Sequence, residues 1–101
     1  MPNKMRPIHP GEILKGELAE LGLSANAFAK ALGVPANRIT AILNEQRSIT
    51  ADTALRLSRF FGTTPEFWMS LQASHDVKRA RQASWHEILR TVKPDKTKIA
   101  A

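Results

Sequence analysis

Ala29 and Gly33 stand four residues apart in ANAFAKALGVPANRITAILN, the stretch from Ala25 to Asn44, and they restrict the folds open to this chain more than any other pair. Two short helices that cross at a steep angle need a small side chain where they touch, which Ala29 supplies. They also need a corner residue free to take a positive φ, which Gly33 supplies. Phe28, Leu32, Val34, Ile39 and Ile42 are spaced to form a small core that fixes the crossing angle. Ala36, Asn37, Arg38, Thr40, Ala41 and Asn44 then fall on the opposite side of the second helix.

An ordinary antiparallel helix pair would accept the same alanine and glycine. Against it stands the chemistry of the outward row. In a major groove Asn pairs with adenine and Arg with guanine, and the methyls of Thr and Ala meet the methyl of thymine. A face that is merely solvated carries Glu and Lys in alternation. The segment therefore reads as a helix-turn-helix whose second helix enters a major groove, with Asn37, Arg38, Thr40, Ala41 and Asn44 reading bases. Ser24, Lys30, Arg47 and Ser48 are placed to hold the phosphate backbone, Ser24 at a helix N-terminus whose free N–H groups favour an anion.

Helix boundaries follow from caps and breakers. Pro10 suits a first helical position, Ile13, Leu14, Leu18 and Leu21 repeat at helical spacing, and Gly22 ends the run. Ser24 caps the second helix; the third spans about Pro35 to Leu43, with Asn44 as a left-handed cap. Thr50 caps a fourth, running to Phe61 before Gly62, with Ala51, Ala54, Leu55, Leu57 and Phe61 inward and Arg56 and Arg59 solvated. Thr64 and Pro65 open a fifth through Phe67, Trp68 and Leu71. After Val77 the segment KRARQAS is a charged continuation of that helix or a connector. Ser84 with Glu87 makes a capping box, and Trp85, Ile88, Leu89 and Val92 follow as a short amphipathic helix closed by Pro94. The end from Lys93 onward is expected to fray. The result is an all-α protein: a five-helix domain over residues 8–77 and a basic extension over 78–101.

At 101 residues one core is the simplest arrangement. The net charge of +6 is a weak guide to DNA binding, because it is unevenly spread. Up to Val77 eight basic residues face seven acidic ones, a net of +1; from Lys78 on, seven face two, a net of +5. The case for DNA rests on local placement instead. No cysteine is present for a disulfide, a Cys-based zinc finger or thiol catalysis. No signal-peptide core or membrane-length apolar run appears, so the cytoplasm is the expected location. His9, His75 and His86 lack metal-ligand spacing, and His75 beside Asp76 comes with no nucleophile or glycine-rich phosphate loop. Neither an enzyme nor a cofactor is expected.

Phe67 and Trp68 are more aromatic surface than a small helical core readily absorbs: either both pack in the core with Leu71, or one of them faces out into a homodimer interface. The segments HPGEILKGELAELGLS, FAKALGVPANRITAILN, RSITADTALRLSRFFGT and PEFWMSLQ then cover His9 to Gln72 almost without gaps. Together they resemble the HigA/VapI group of antitoxins, a branch of the lambda-repressor-like helix-turn-helix proteins. That resemblance implies a dimer that binds a palindromic operator in its own promoter and neutralises a small RelE-like ribonuclease toxin. Because such toxins are basic, Glu12, Glu17 and Glu20 on the first helix are the expected toxin contacts. Two alternatives stay open, a stand-alone phage or plasmid repressor and a toxin inhibitor with little DNA binding. The chain departs from the group's pattern at Ala25, where relatives commonly have Gln, and at Glu45, where Asn-Gly is often completed.

Overall fold

A computed structural model describes residues 6–95. Five helices and no strands occur among them: α1 Pro10–Leu21, α2 Ala25–Leu32, α3 Ala36–Leu43, α4 Ala51–Phe61 and α5 Pro65–Thr91. Ser24, Thr50 and Thr64 cap α2, α4 and α5, their hydroxyl oxygens accepting the N–H of Ala27, Thr53 and Phe67. The α1 cap is His9, whose Nδ1 accepts the Gly11 N–H at 2.9 Å. Gly33 turns the corner between α2 and α3 at φ 71°. A Cβ at Gly33 would also press on the Arg56 guanidinium at 3.3 Å.

Leu14, Leu18, Phe28, Ala29, Leu32, Ile39, Ile42, Ile49, Ala54, Leu57 and Trp68 form one buried core, with Val34 packed at its edge. Phe28, Phe61 and Trp68 line up through it with ring centroids 5.7–5.8 Å apart. Gly11 brings α1 onto the backbone of α3. A Cβ there would lie 1.9 Å from the Ile42 carbonyl oxygen, so only hydrogen fits.

Several sequence-based expectations are corrected. Leu55 is 58% exposed, because Thr53, Ala54 and Leu57 already fill the inward face of α4. Leu21 is also exposed, in the last turn of α1. Asn44 has φ −87°, and the left-handed residue is Glu45 at φ 62°. Glu45 N donates to Ile42 O and Gln46 N to Ala41 O, the double closure that glycine usually permits. Ser84 caps nothing and lies inside α5. No glycine or proline interrupts the chain between Pro65 and Pro94, so extending an existing helix is easier than nucleating another. At 27 residues α5 is about 40 Å long. Its second half projects from the domain and stretches the molecule to 53 × 26 × 25 Å. Of the end expected to fray, residues 93–95 are exposed and outside any helix, and the rest lies outside the described residues.

Candidate nucleic-acid interface

With Ile39 and Ile42 buried, α3 turns Asn37, Thr40 and Asn44 to solvent and leaves Ala41 half-covered. The Thr40 hydroxyl donates back to the Asn37 and Ala36 carbonyls at 3.3 and 3.4 Å, so its proton is committed to its own helix. Around this row Ser24, Lys30, Arg47 and Ser48 are all exposed. Asn37, Thr40, Ala41 and Asn44 therefore share the open face of one short helix.

Arg38 sits differently from the rest of the row. Its side chain is only 24% exposed, and Nη1 donates to Asp52 Oδ2 at 2.8 Å. The same oxygen accepts Arg56 Nε at 2.9 Å, and Arg56 Nη1 reaches the Leu32 and Gly33 carbonyls at 2.8 and 3.3 Å. Arg56, expected to be solvated, instead closes the C-terminus of α2, where exposed carbonyls favour a cation. One carboxylate thus joins α3 to α4, and one guanidinium joins α4 to α2. The two arginines hold the Asp52 carboxyl below its ordinary range, Arg56 more than Arg38.

A second polar cluster fixes the loop that carries Arg47 and Ser48. The Ile49 N–H donates to Gln72 Oε1 at 2.7 Å, and Gln72 Nε2 donates to Asp76 Oδ1 at 3.0 Å. His75 Nδ1 lies 3.1 Å from the same Asp76 oxygen. The buried rings of His9 and His75 meet edge to face, centroids 4.8 Å apart. His9 is pushed below its ordinary pKa by burial first and by the nearby His75 second. Glu45, Asp76 and a backbone contact at Arg47 act in the opposite direction. The histidine-aspartate group is a structural tether between α1, the loop and α5.

The other expected contacts divide. Trp68 is 2% exposed and its Nε1 donates to Thr63 Oγ1 at 2.8 Å, so it is core and not interface. Phe67, whose ring meets that of Trp68 edge to face at 5.1 Å between centroids, is 45% exposed. Glu12 is engaged by both terminal nitrogens of Arg6, at 2.9 and 2.7 Å, whereas Glu17 and Glu20 are exposed. Sequence reading missed Asp52, Gln72 and the two buried histidines, since each depends on partners distant along the chain. No group of side chains among the described residues could hold a metal ion, and no helix among them is long and apolar enough to cross a membrane.

The helix-turn-helix family profile matches residues 14–68. Virulence-associated protein I of Dichelobacter nodosus is 56% identical over 81 residues, covering 79% of this chain and 75% of that protein. The solved structure of a HigA-family addiction module antidote protein from Coxiella burnetii is 61% identical, with a TM-score of 0.88 over 90% of this chain and 100% of that one. Pseudomonas aeruginosa antitoxin HigA, solved with the higBA promoter, is 46% identical with a TM-score of 0.85, over 88% of this chain and 98% of that one. The chain belongs to the helix-turn-helix family, and within it to the HigA/VapI-type antitoxins.

Proposed function

We propose that this antitoxin binds an inverted-repeat operator as a homodimer, represses its own operon and neutralises a small RelE-like ribonuclease toxin. The observation that carries the DNA reading is the outward row of α3, Asn37, Thr40, Ala41 and Asn44, ringed by Ser24, Lys30, Arg47 and Ser48. Amide side chains address adenine edges and the two methyl-bearing residues address thymine, while the ring fixes the register on phosphates. A relative of 46% identity solved with promoter DNA supports the DNA-binding reading.

Dimerisation is supported by the half of α5 that projects from the domain. Val77, Trp85, Ile88 and Val92 are exposed at successive steps of eight, three and four residues, a seam that a second copy of the helix would cover. Phe67 adds apolar surface nearer the core. Glu17 and Glu20 remain the proposed encounter surface for a basic toxin, joined by Glu12 where Arg6 releases it.

Gel shifts with the promoter upstream of its own gene, combined with co-purification of the neighbouring gene product, test the reading. Operator-specific binding that persists or tightens with the co-purified ribonuclease is the expected result. DNA binding without a copurifying toxin would make the protein a stand-alone repressor, and a stable toxin complex without DNA binding would make it an inhibitor alone.

A further inference from the structure

We propose that Asp52 is a specificity-determining residue, which holds Arg38 away from the groove until a correctly placed guanine competes for it. The inference rests on the reading of α3 as the recognition helix. Its basis is the geometry at the junction of α3 and α4. Arg38, the one charged residue of the row, lies on the flank of α3 beside α4, tied through Nη1 to Asp52 Oδ2 at 2.8 Å. Asp52 is positioned independently of Arg38, because Arg56 grips the same oxygen and is itself anchored on the α2 carbonyls. The carboxylate is therefore a fixed anchor and Arg38 the movable partner.

The bridge is suited to exchange. Asp52 is 56% exposed, and ion pairs that face water are weakly held. A guanine offers O6 and N7 together, so Arg38 would trade one charge-assisted bond for two. A phosphate offers no such gain in selectivity, and once Arg38 leaves for a phosphate the Asp52 carboxylate keeps one cation instead of two and repels the phosphate beside it. Random DNA meets the repulsion without the compensating base contact. Operator DNA meets both. Asp52 thus acts by suppressing the wrong complexes, and the selectivity it confers is a difference of affinities.

Asp52→Asn tests this, since the amide oxygen can still accept from Arg56 while the charge is gone. Affinity is measured on a duplex of the promoter upstream of its own gene and on a shuffled duplex of equal length and composition, across a salt series. The proposal expects affinity for the shuffled duplex to rise about tenfold and for the promoter duplex by less than about threefold, with a salt slope on the shuffled duplex steeper by about one. In the double variant Asp52→Asn with Arg38→Ala the gain on shuffled DNA should disappear. If it persists undiminished, Asp52 is only a negative charge near DNA and the gating role is overturned. Equal changes on both duplexes, or none, overturn it also. A wild-type protein that does not discriminate the duplexes overturns the reading of α3 and the proposal together, whereas a selective wild type with an indifferent Asp52→Asn overturns the proposal alone. Circular dichroism and thermal melting of Asp52→Asn confirm that the comparison is between folded proteins. Should it melt near the assay temperature, Asp52→Glu, which lengthens the tether by one methylene while keeping the charge, is expected to raise shuffled-DNA binding less than the amide would; an unchanged selectivity ratio there overturns the positional argument.

Discussion

Gly11 faces the Ile42 carbonyl so closely that a Cβ on it would stand 1.9 Å from the oxygen. Replacing a helical glycine by alanine normally gains roughly 0.5–1 kcal/mol. At this crossing overpacking of backbone against backbone, roughly 1–3 kcal/mol or more, decides the sign. Gly11→Ala is expected to lower the melting temperature by about 5 °C or more and to tilt α3 relative to α1. A variant as stable as the wild type would mean that α1 and α3 are not held this close.

His9 predicts a pH dependence. Its Nδ1 can cap Gly11 only while unprotonated, and its folded pKa lies below the ordinary 6.5. The unfolded chain therefore binds the proton more readily. The contribution of His9 is complete above about pH 6.5 and is lost as the pH falls toward the folded value. His9→Asn, which keeps a capping oxygen, should be less stable than wild type at about pH 8 through lost packing, with the gap narrowing toward about pH 5. Denaturant titrations across that range check it. A gap that does not change with pH would contradict the assignment.

Glu45 occupies the left-handed position that closes α3, where α1, α2 and α4 place glycine. A left-handed backbone costs a residue with a Cβ roughly 1–2 kcal/mol, and the entropy of a freer unfolded chain takes back part of that on changing to glycine. Glu45→Gly should raise stability by about 0.5–1 kcal/mol, read as a melting point a few degrees higher. A lower melting point would show that the Glu45 side chain contributes more than its backbone costs.

The projecting half of α5 should govern association and not folding. Ile88→Asp with Val92→Asp places two charges in the exposed stripe and touches no residue of the buried core. Sedimentation at tens of micromolar is expected to give a dimer for the wild type and a monomer for the variant, with nearly unchanged melting of the monomeric domain. A dimer that survives would move the interface to Phe67 and the groove it shares with Ile13, Glu17, Phe61 and Thr63.

Features encoded within one turn of chain were legible in the sequence. The Ala29 and Gly33 corner, the caps at Ser24, Thr50 and Thr64, and the buried stripe of Phe28, Leu32, Ile39 and Ile42 depend on residues a few positions apart, and each appears in the fold. The role of Arg56 is not legible in the sequence because its partners, the Leu32 and Gly33 carbonyls, are more than twenty residues away. The same distance hid His9 against His75 and Ile49 against Gln72. The exposure of Leu55 is not legible either, because an apolar residue alone does not reveal that Thr53 takes the inward position. Ser84 carried a true capping signal, overridden by a run of good helix formers before it.

The central claim, that the outward row of α3 reads an operator as part of a dimer, is tested most directly by footprinting on the promoter upstream of its own gene, with wild type and with Asn37→Ala and Asn44→Ala. Two protected half-sites in inverted repeat, with centres about 34 Å or a multiple of it apart, are expected. Each alanine variant should lose roughly 1–3 kcal/mol on that site while binding random DNA as before. Protection of a single unrepeated site, or equal losses on operator and random DNA, would contradict the account.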